Sequence, residues 1–348
     1  MSRLSIPHAL IDAPPHDTLQ RPLHDLRISV IDRCNFRCPY CMPEDKYKDD
    51  HVFLKKDERL RFEEIERIAR IFAQLGVRKL RLTGGEPLVR RDLPALVAML
   101  AKIELIDDIA LTTNGVLLPR FAQALREAGL QRLTVSLDSM NPGIFRQLSG
   151  GKGEVDEVLA GIAAAERAGF TQIKINCVVM RGVNDEHVLD LIDHFRGTGH
   201  IPRFIEYMDV GTINGWKKDL VVPSAELKAR IAQRWALEPL EPNYRGEVAQ
   251  RYALSGAGEI GFISSVSQPF CGDCTRGRLS ADGKLYTCLF AQAGHDIRTA
   301  MRAGADDAEL AMLISGFWRT RKDRYSEVRA EIRASGTREK VEMFSIGG

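Results

Sequence analysis

The sequence contains no apolar run that approaches the ~20 residues a membrane-spanning helix requires. Its first 20 residues have no apolar signal-peptide core, and Asp12 and Asp17 are not expected in a transit peptide. The net charge is only +2, so a nucleic-acid partner would need a local basic patch. We therefore expect a cytoplasmic protein that binds neither a membrane nor a nucleic acid.

Cysteine is scarce and unevenly placed. The chain has seven cysteines, and in a reducing compartment clustered cysteines are more often metal ligands than disulfides. Cys177 stands alone in the apolar run "QIKINCVVM" and is predicted to be a small buried residue. The others form two triplets: Cys34, Cys38 and Cys41, then Cys271, Cys274 and Cys288. Each triplet is one short of the four ligands that a soft metal ion prefers.

Between about residues 26 and 209, six short β-rich runs alternate with helical patterns. Such repeated β-α units predict a parallel sheet with crossover helices. Six strands are fewer than the eight of a closed barrel. We therefore predict an α/β fold, an open partial barrel of the (β/α)6 type, which binds ligands at the carboxyl ends of its strands.

The β-α rhythm stops after Asp209, which suggests a division of the chain into four parts. Strand-like pieces near 248–254 and 259–266 precede the second cysteine triplet, and helical patterns cover 223–235, 306–319 and 326–334. The predicted parts are an N-terminal arm at 1–22, the barrel at 23–210, a C-terminal region with the second triplet at 211–320, and a helical segment with a Gly-Gly tail at 321–348.

The first triplet, "CNFRCPYC", directly follows the first predicted strand. A CxxxCxxC loop is short enough to bind one [4Fe–4S] cluster through three thiolates, which leaves the fourth iron open. The alternative is a structural zinc site with His51 as its fourth ligand. The stretch "TGGEP" at 83–87 ends the second strand, and its two glycines would permit close approach of a ligand.

The CxxxCxxC loop followed by "TGGEP" one β-α unit later resembles the radical S-adenosylmethionine (SAM) superfamily. This resemblance implies that the open iron binds SAM and that an electron from the cluster cleaves a C–S bond, which releases a 5′-deoxyadenosyl radical. The positions that match the SAM-binding residues of the superfamily are Tyr40, Gly85, Ser136 and Met208.

The second triplet has the spacing CxxC-x13-C and encloses Asp282-Gly283, a strong hairpin-turn signal. The turn would return Cys288 to the CxxC pair. A zinc ribbon completed by His295 is the alternative. Arg276 and Arg278 occupy alternate positions of a predicted strand, so they would point the same way and could bind a phosphate chain. They could also be two solvated arginines.

Together, the two triplets resemble the GTP 3′,8-cyclase family, also called molybdenum cofactor biosynthesis protein A, over about residues 23–289 and the Gly-Gly tail. The resemblance implies a second [4Fe–4S] cluster on Cys271, Cys274 and Cys288, whose open iron binds guanine. It also implies that Gly347 and Gly348 enter the active site and are needed for the reaction. The GTP contacts it implies are Arg27, Arg81, Thr112, Lys174, Arg203, Arg276, Gly277 and Arg278, with Lys79 a weaker match.

The reaction implied by this resemblance removes the ribose 3′ hydrogen of GTP and closes a bond to guanine C8, giving (8S)-3′,8-cyclo-7,8-dihydro-GTP for molybdenum cofactor biosynthesis. It requires an external electron donor and a downstream cyclic pyranopterin monophosphate synthase, and the enzyme could be a homodimer. Two alternatives stay open. One is another two-cluster radical SAM enzyme such as a peptide maturase, and the other is a non-enzymatic zinc-binding nucleic-acid module.

Overall fold

The computed structural model describes residues 13–48, 51–336 and 339–347. Most of the predicted N-terminal arm and Gly348 of the predicted tail lie outside these ranges. No helix in the described part of the chain is both long enough and apolar enough to cross a membrane.

Six strands form the parallel centre of the sheet and follow one another in chain order. Every neighbouring pair among them is parallel, which confirms the predicted partial barrel. Their bounds are β1 Asp25–Ser29, β2 Lys79–Thr83, β3 Asp108–Thr113, β4 Arg132–Ser136, β5 Lys174–Val179 and β6 Ile201–Glu206.

The crossover helices bury one apolar face each against this sheet. In the first of them, Ile65, Ile68 and Phe72 are fully buried, as a period of 3.6 residues requires. The chain leaves this helix at Gly76, whose φ of 107° favours glycine. The helices between the six strands are α1 Phe62–Gln74, α2 Leu93–Leu100, α3 Leu118–Glu127, α4 Pro142–Leu148, α5 Val155–Arg167 and α6 Val188–Phe195.

The chain after β6 contains shorter elements. Its strands are β7 Leu237–Leu240, β8 Gln250–Leu254, β9 Gly258–Ile263, β10 Arg276–Leu279, β11 Lys284–Tyr286 and β12 His295–Asp296. Its helices are α7 Ser224–Ala232, α8 Arg298–Arg302, α9 Asp307–Arg319, α10 Tyr325–Ala334 and α11 Met343–Ile346. The sequence predicted α7, β8, β9, α9 and α10, but not β7, β12, α8 or α11.

The late strands extend the barrel sheet on both sides. β9 pairs in parallel with β6, and β10 pairs in parallel with β1. The strand order is β12-β11-β10-β1-β2-β3-β4-β5-β6-β9-β8-β7, so the sheet stays open in the described part of the chain. The division of the chain at residues 22, 210 and 320 remains a prediction. Strands from both sides of residue 210 belong to one sheet.

Candidate active site

The first cysteine loop leaves the carboxyl end of β1 and lines a cavity at that end of the barrel. Cys34, Cys38 and Cys41 all reach this cavity, together with Gly84 and Gly85 from the end of β2. We call it the first cavity. Ligand sites of parallel barrels lie at this end of the strands.

Backbone contacts hold the cysteine loop against the "TGGEP" segment. The Gly85 amide donates to the Ile31 carbonyl at 2.8 Å, and the Glu86 amide donates to the Arg33 carbonyl at 2.8 Å. A Cβ atom at Gly85 would clash with the Arg33 carbonyl. The two glycines therefore make room first of all for the cysteine loop itself, and Gly85 still borders the cavity.

All four positions matched to SAM binding line the first cavity: Tyr40, Gly85, Ser136 and Met208. Two buried carboxylates that the sequence did not single out lie beside them. The Tyr40 hydroxyl donates to Asp138 at 2.5 Å, and burial raises the pKa of Asp138 to about 6. Burial also raises the pKa of Glu86 to about 7, although Glu86 accepts hydrogen bonds from Asn114, Leu88 and Thr113.

The second cysteine triplet lines a neighbouring cavity, which we call the second cavity. Cys271, Cys274 and Cys288 all reach it. β10 and β11 pair as an antiparallel hairpin, and Gly283 in its turn has a φ of 79°, which confirms the turn predicted at Asp282-Gly283. The turn is what returns Cys288 to the CxxC pair.

Basic side chains from six strands surround the second cavity. Arg27 on β1 is level with Arg81 on β2 and with Arg278 on β10. Side chains two residues apart share a face of a strand, so Lys79 and Arg276 form a second row on the same side. The basic residues that line this cavity are Arg27, Lys79, Arg81, Arg132, Lys174, Arg203, Arg276 and Arg278.

Every side-chain position matched to GTP binding therefore lies at the second cavity, Thr112 included. Gly277 does not line it, because a Cβ at that position would face Leu23, Leu26 and Leu285 in the core. Only the backbone of Gly277 could contact a ligand, and its role remains a prediction.

Burial, together with the crowding of like charges, weakens the basicity of these groups. Burial is the largest cause, and Arg203, Arg132 and Arg81 add to it, so that the pKa of Lys174 falls to about 7. The pKa of Arg203 falls to about 9 and that of Arg278 to about 10, again chiefly through burial. A bound polyanion would relieve this repulsion, because it stabilises the charged forms.

Three residues at this site escaped sequence reasoning. Arg132 begins β4 and pairs with Asp108, while Tyr244 places its ring 3.0 Å from the Lys79 ammonium. Asn176 accepts two hydrogen bonds from Arg203, at 2.7 and 3.0 Å. Tyr244 lies in an irregular loop with no motif, so no sequence signal could have found it.

The C-terminal segment reaches both cavities. The Gly347 carbonyl accepts a hydrogen bond from Arg278, and Met343 lines the first and the second cavity alike. This supports the predicted entry of the tail into the site. Gly348 lies outside the described residues.

Buried Asp209, just after β6, holds the segment that precedes the tail. Its carboxylate accepts hydrogen bonds from Tyr325 at 2.5 Å, Arg329 at 2.9 Å and Lys340 at 3.1 Å. Tyr325 and Arg329 lie on α10, and Lys340 lies shortly before α11. The pKa of Asp209 is lowered because these hydrogen bonds and charges outweigh the effect of burial.

The two cavities adjoin one another. Both are lined by Thr112, Asn176, Ile205, Met208 and Met343. A ligand in one cavity can therefore meet a ligand in the other at this shared wall.

The histidines of the two zinc alternatives are engaged elsewhere. The His51 ring packs edge-on against Tyr47 and Phe53, and the His295 ring stacks on Phe317 at 4.0 Å. Neither lines the cavity of its cysteine triplet. Over the ranges that the structure describes, no three His, Cys, Asp or Glu side chains converge to hold one metal ion. A cubane cluster takes one thiolate per iron, so its ligands need not converge on a point.

Comparison with known proteins agrees with this architecture. Residues 28–195 match the family model of the radical SAM superfamily, and residues 201–327 match that of Molybdenum Cofactor Synthesis C. The fold is similar to that of Streptococcus suis SuiB bound to S-adenosylmethionine, with a TM-score of 0.58, 16% identity, and coverage of 84% of this chain and 68% of SuiB. The fold and the cysteine loop thus define a radical SAM protein.

Two curated relatives narrow the assignment. The GTP 3′,8-cyclase of Xanthomonas campestris pv. campestris (strain B100) is 60% identical over 337 residues, which covers 97% of this chain and 98% of the relative. That of Acidothermus cellulolyticus is 55% identical over 360 residues, covering 96% and 99%. The chain belongs to the GTP 3′,8-cyclase family. The likeness to SuiB concerns the fold alone and does not favour the peptide-maturase alternative.

Proposed function

We propose that this chain converts GTP to (8S)-3′,8-cyclo-7,8-dihydro-GTP in molybdenum cofactor biosynthesis. The observation that carries the proposal is the second cavity, in which eight basic side chains surround a cysteine triplet next to the first cavity. A nucleoside triphosphate is the polyanion that this arrangement fits, since arginine forks bind phosphate oxygens in pairs.

The first cavity fits a [4Fe–4S] cluster with SAM. Cys34, Cys38 and Cys41 would hold the cluster and leave one iron for SAM. Tyr40, Gly85, Ser136 and Met208 would contact SAM, in line with their positions around the cavity. When bound, these groups supply the one-electron chemistry that starts a radical reaction on the ribose.

The second cavity fits a second [4Fe–4S] cluster on Cys271, Cys274 and Cys288. The three sulfurs line one cavity, and the Cys274 sulfur accepts a hydrogen bond from the buried guanidinium of Arg321, as a thiolate ligand would. The open iron of this cluster would take the guanine, while Arg276 and Arg278 hold the phosphates.

The remaining side chains of the second cavity would orient the substrate and exclude water. Arg81 donates to Thr112 and Thr134 at 3.0 Å each, and Asn176 fixes Arg203. Fixed donors bind without a further loss of side-chain entropy. Gly347 would close the site through its contact with Arg278.

The proposal extends to the surroundings of the enzyme. It requires an external electron donor, and its product would pass to a cyclic pyranopterin monophosphate synthase. We place the enzyme in the cytoplasm and propose that it can pair as a homodimer.

The test is anaerobic incubation of the purified chain with GTP, SAM and a reductant, followed by identification of the product. We expect about eight irons per chain, 5′-deoxyadenosine, and the cyclic nucleotide in a reaction that stops when SAM is omitted. A variant with Cys34, Cys38 and Cys41 changed to Ala is the control and should produce neither compound. A protein that carries both clusters but leaves GTP unchanged would refute the proposal.

A further inference from the structure

A buried ionic network lies directly behind the second cysteine loop. It consists of Asp17, Arg21 and Arg321, which are 2%, 0% and 4% exposed. Arg21 Nε donates to Asp17 at 2.6 Å, and Arg321 Nη1 donates to the same carboxylate oxygen at 3.2 Å. Asp17 and Arg21 come from the described part of the N-terminal arm, whereas Arg321 follows α9. Two distant parts of the chain thus meet behind the loop.

Each arginine of this network binds one cysteine of the CxxC pair. Arg21 Nη1 donates to the Cys271 carbonyl at 2.7 Å, and Arg321 Nη1 donates to the Cys274 carbonyl at 2.7 Å. A carbonyl can be held in this way in any structural loop, so these two bonds alone indicate only that the loop is rigid.

Arg321 makes a further contact that a purely structural role does not need. Its Nη2 donates to the Cys274 sulfur at 3.1 Å. The sulfurs of Cys34 and Cys288 instead accept from backbone amides, those of Phe36 at 3.4 Å and Phe290 at 3.5 Å. Cys274 is therefore the cysteine of these three whose sulfur faces a charged donor.

The charge around Arg321 also favours a thiolate. Asp17 is the buried carboxylate that the two guanidinium groups share, and Asp323, one-third exposed, lies 3.5 Å from Arg321 Nε. A negative sulfur on Cys274 would supply a second buried anion.

We infer that Arg321 is a positioning residue that holds the Cys274 thiolate and makes the second cluster easier to reduce. The inference rests on the proposed binding of a second cluster by Cys271, Cys274 and Cys288. Reduction adds negative charge to the cluster, and a guanidinium donor on a ligand sulfur stabilises that charge. Loss of the donor should therefore shift the reduction potential to a more negative value.

The test compares Arg321→Met and Arg321→Lys with the unchanged chain. Arg319→Met is the matched control, because Arg319 lies exposed at the end of α9, two residues away. Each variant is made in the full chain and also in a background with Cys34, Cys38 and Cys41 changed to Ala, so that only the second cluster is present. The readouts are iron content and the potential at which the cluster signal appears in electron paramagnetic resonance.

We expect a shift to a more negative potential in Arg321→Met, a smaller shift in Arg321→Lys, and none in Arg319→Met. If Arg321→Met loses half of the iron of the full chain and Arg321→Lys recovers it, the positioning role is equally supported. Full iron content with an unchanged potential overturns the inference. Loss of iron from both cysteine loops in both variants also overturns it, because Arg321 would then serve folding only.

These outcomes are distinct from a failure of the proposed function. If the chain with the first triplet removed but with Arg321 in place binds no cluster, the second cluster itself is disproved. If it binds one and the Arg321 variants behave like the unchanged chain, only the role of Arg321 is disproved.

Discussion

The two adjoining cavities differ most in the charge of the side chains that line them. Among described residues the first cavity has three carboxylates, Glu86, Asp138 and Glu206, and no lysine, arginine or histidine. The second has eight basic side chains against three acidic ones, Asp25, Asp108 and Glu247. A ligand with a cationic sulfonium and amino group suits the first cavity, and a triphosphate suits the second. Charge would therefore separate the two proposed ligands, which would meet at the shared wall.

The largest expected effect comes from removing charge from the second cavity alone. Arg276→Ala combined with Arg278→Ala should lower GTP turnover by roughly 10²- to 10⁴-fold, because two charge-assisted hydrogen bonds are lost at ~1.5–3 kcal/mol each. Reductive SAM cleavage without GTP should stay measurable, since neither arginine lines the first cavity. Both are measured by product analysis.

The matched control is Arg196→Ala combined with Arg234→Ala, two half-exposed arginines outside both cavities. It should leave both reactions at the level of the unchanged chain. If GTP turnover persists in the variant that lacks Arg276 and Arg278, the second cavity does not bind the triphosphate.

A smaller effect is expected from shortening the tail that contacts both cavities. Removal of Gly347 and Gly348 should lower product formation by at least roughly tenfold, because Arg278 loses its charged hydrogen bond to the Gly347 carbonyl. Iron content should be unchanged, because no cysteine is affected. Full activity of the shortened chain would refute a role for the tail.

The pH dependence of ligand affinity should differ between the two cavities. Without GTP, Lys174 has a pKa of about 7, and a bound polyanion raises that value. Below pH 7 the Lys174 ammonium is already charged. Above pH 7 the amine is neutral, so it must take up a proton when GTP binds. The affinity for GTP should therefore fall with rising pH, by up to ~10-fold per pH unit between pH 7.5 and 8.5.

Calorimetry in buffers of different ionisation enthalpy measures this proton uptake. Lys174→Met should bind GTP more weakly and without the proton uptake of the unchanged chain. SAM affinity should not follow the same profile in either protein. Equal proton uptake in Lys174→Met would assign the titration to another group.

The smallest effect concerns the first cavity. Tyr40→Phe removes the hydroxyl that donates to Asp138. It changes the wall of the first cavity without removing a charge, so we expect the effect on SAM binding to be ~0.5–1.5 kcal/mol. We expect the KM for SAM to rise by roughly 2- to 10-fold, with GTP affinity unchanged. Tyr252→Phe is the control, since its hydroxyl accepts from Lys228 outside both cavities. If Tyr40→Phe changes the affinity for GTP and not that for SAM, the assignment of SAM to the first cavity is wrong.

The local parts of this architecture could be predicted from the sequence. The six parallel strands followed from alternating β and α patterns, and the hairpin at Asp282-Gly283 followed from its turn residues. Arg276 and Arg278 were singled out by their alternate positions on a predicted strand, and Arg81 followed from the family resemblance. Cys177 is buried as expected.

Long-range partners could not be predicted in this way. The pairing of β10 with β1 joins segments about 250 residues apart, and no local pattern reports it. Asp209 meets Tyr325 and Lys340 only because the chain returns to the barrel after α10. Arg132 and Tyr244 reach the second cavity through the same tertiary arrangement, without a motif around them.

The parallel pairing of β1 with β10 sets the distance between the two cysteine triplets. Cys34 follows the end of β1, whereas Cys274 precedes the start of β10, whose Arg276 is level with Asp25. The five residues of β1 span roughly 17 Å at ~3.3 Å per residue. An insertion in a loop would leave this distance unchanged, but one added residue within β1 would turn the following side chains to the opposite face. Relatives of this chain should therefore tolerate length changes in their loops while they keep the lengths of these two strands constant.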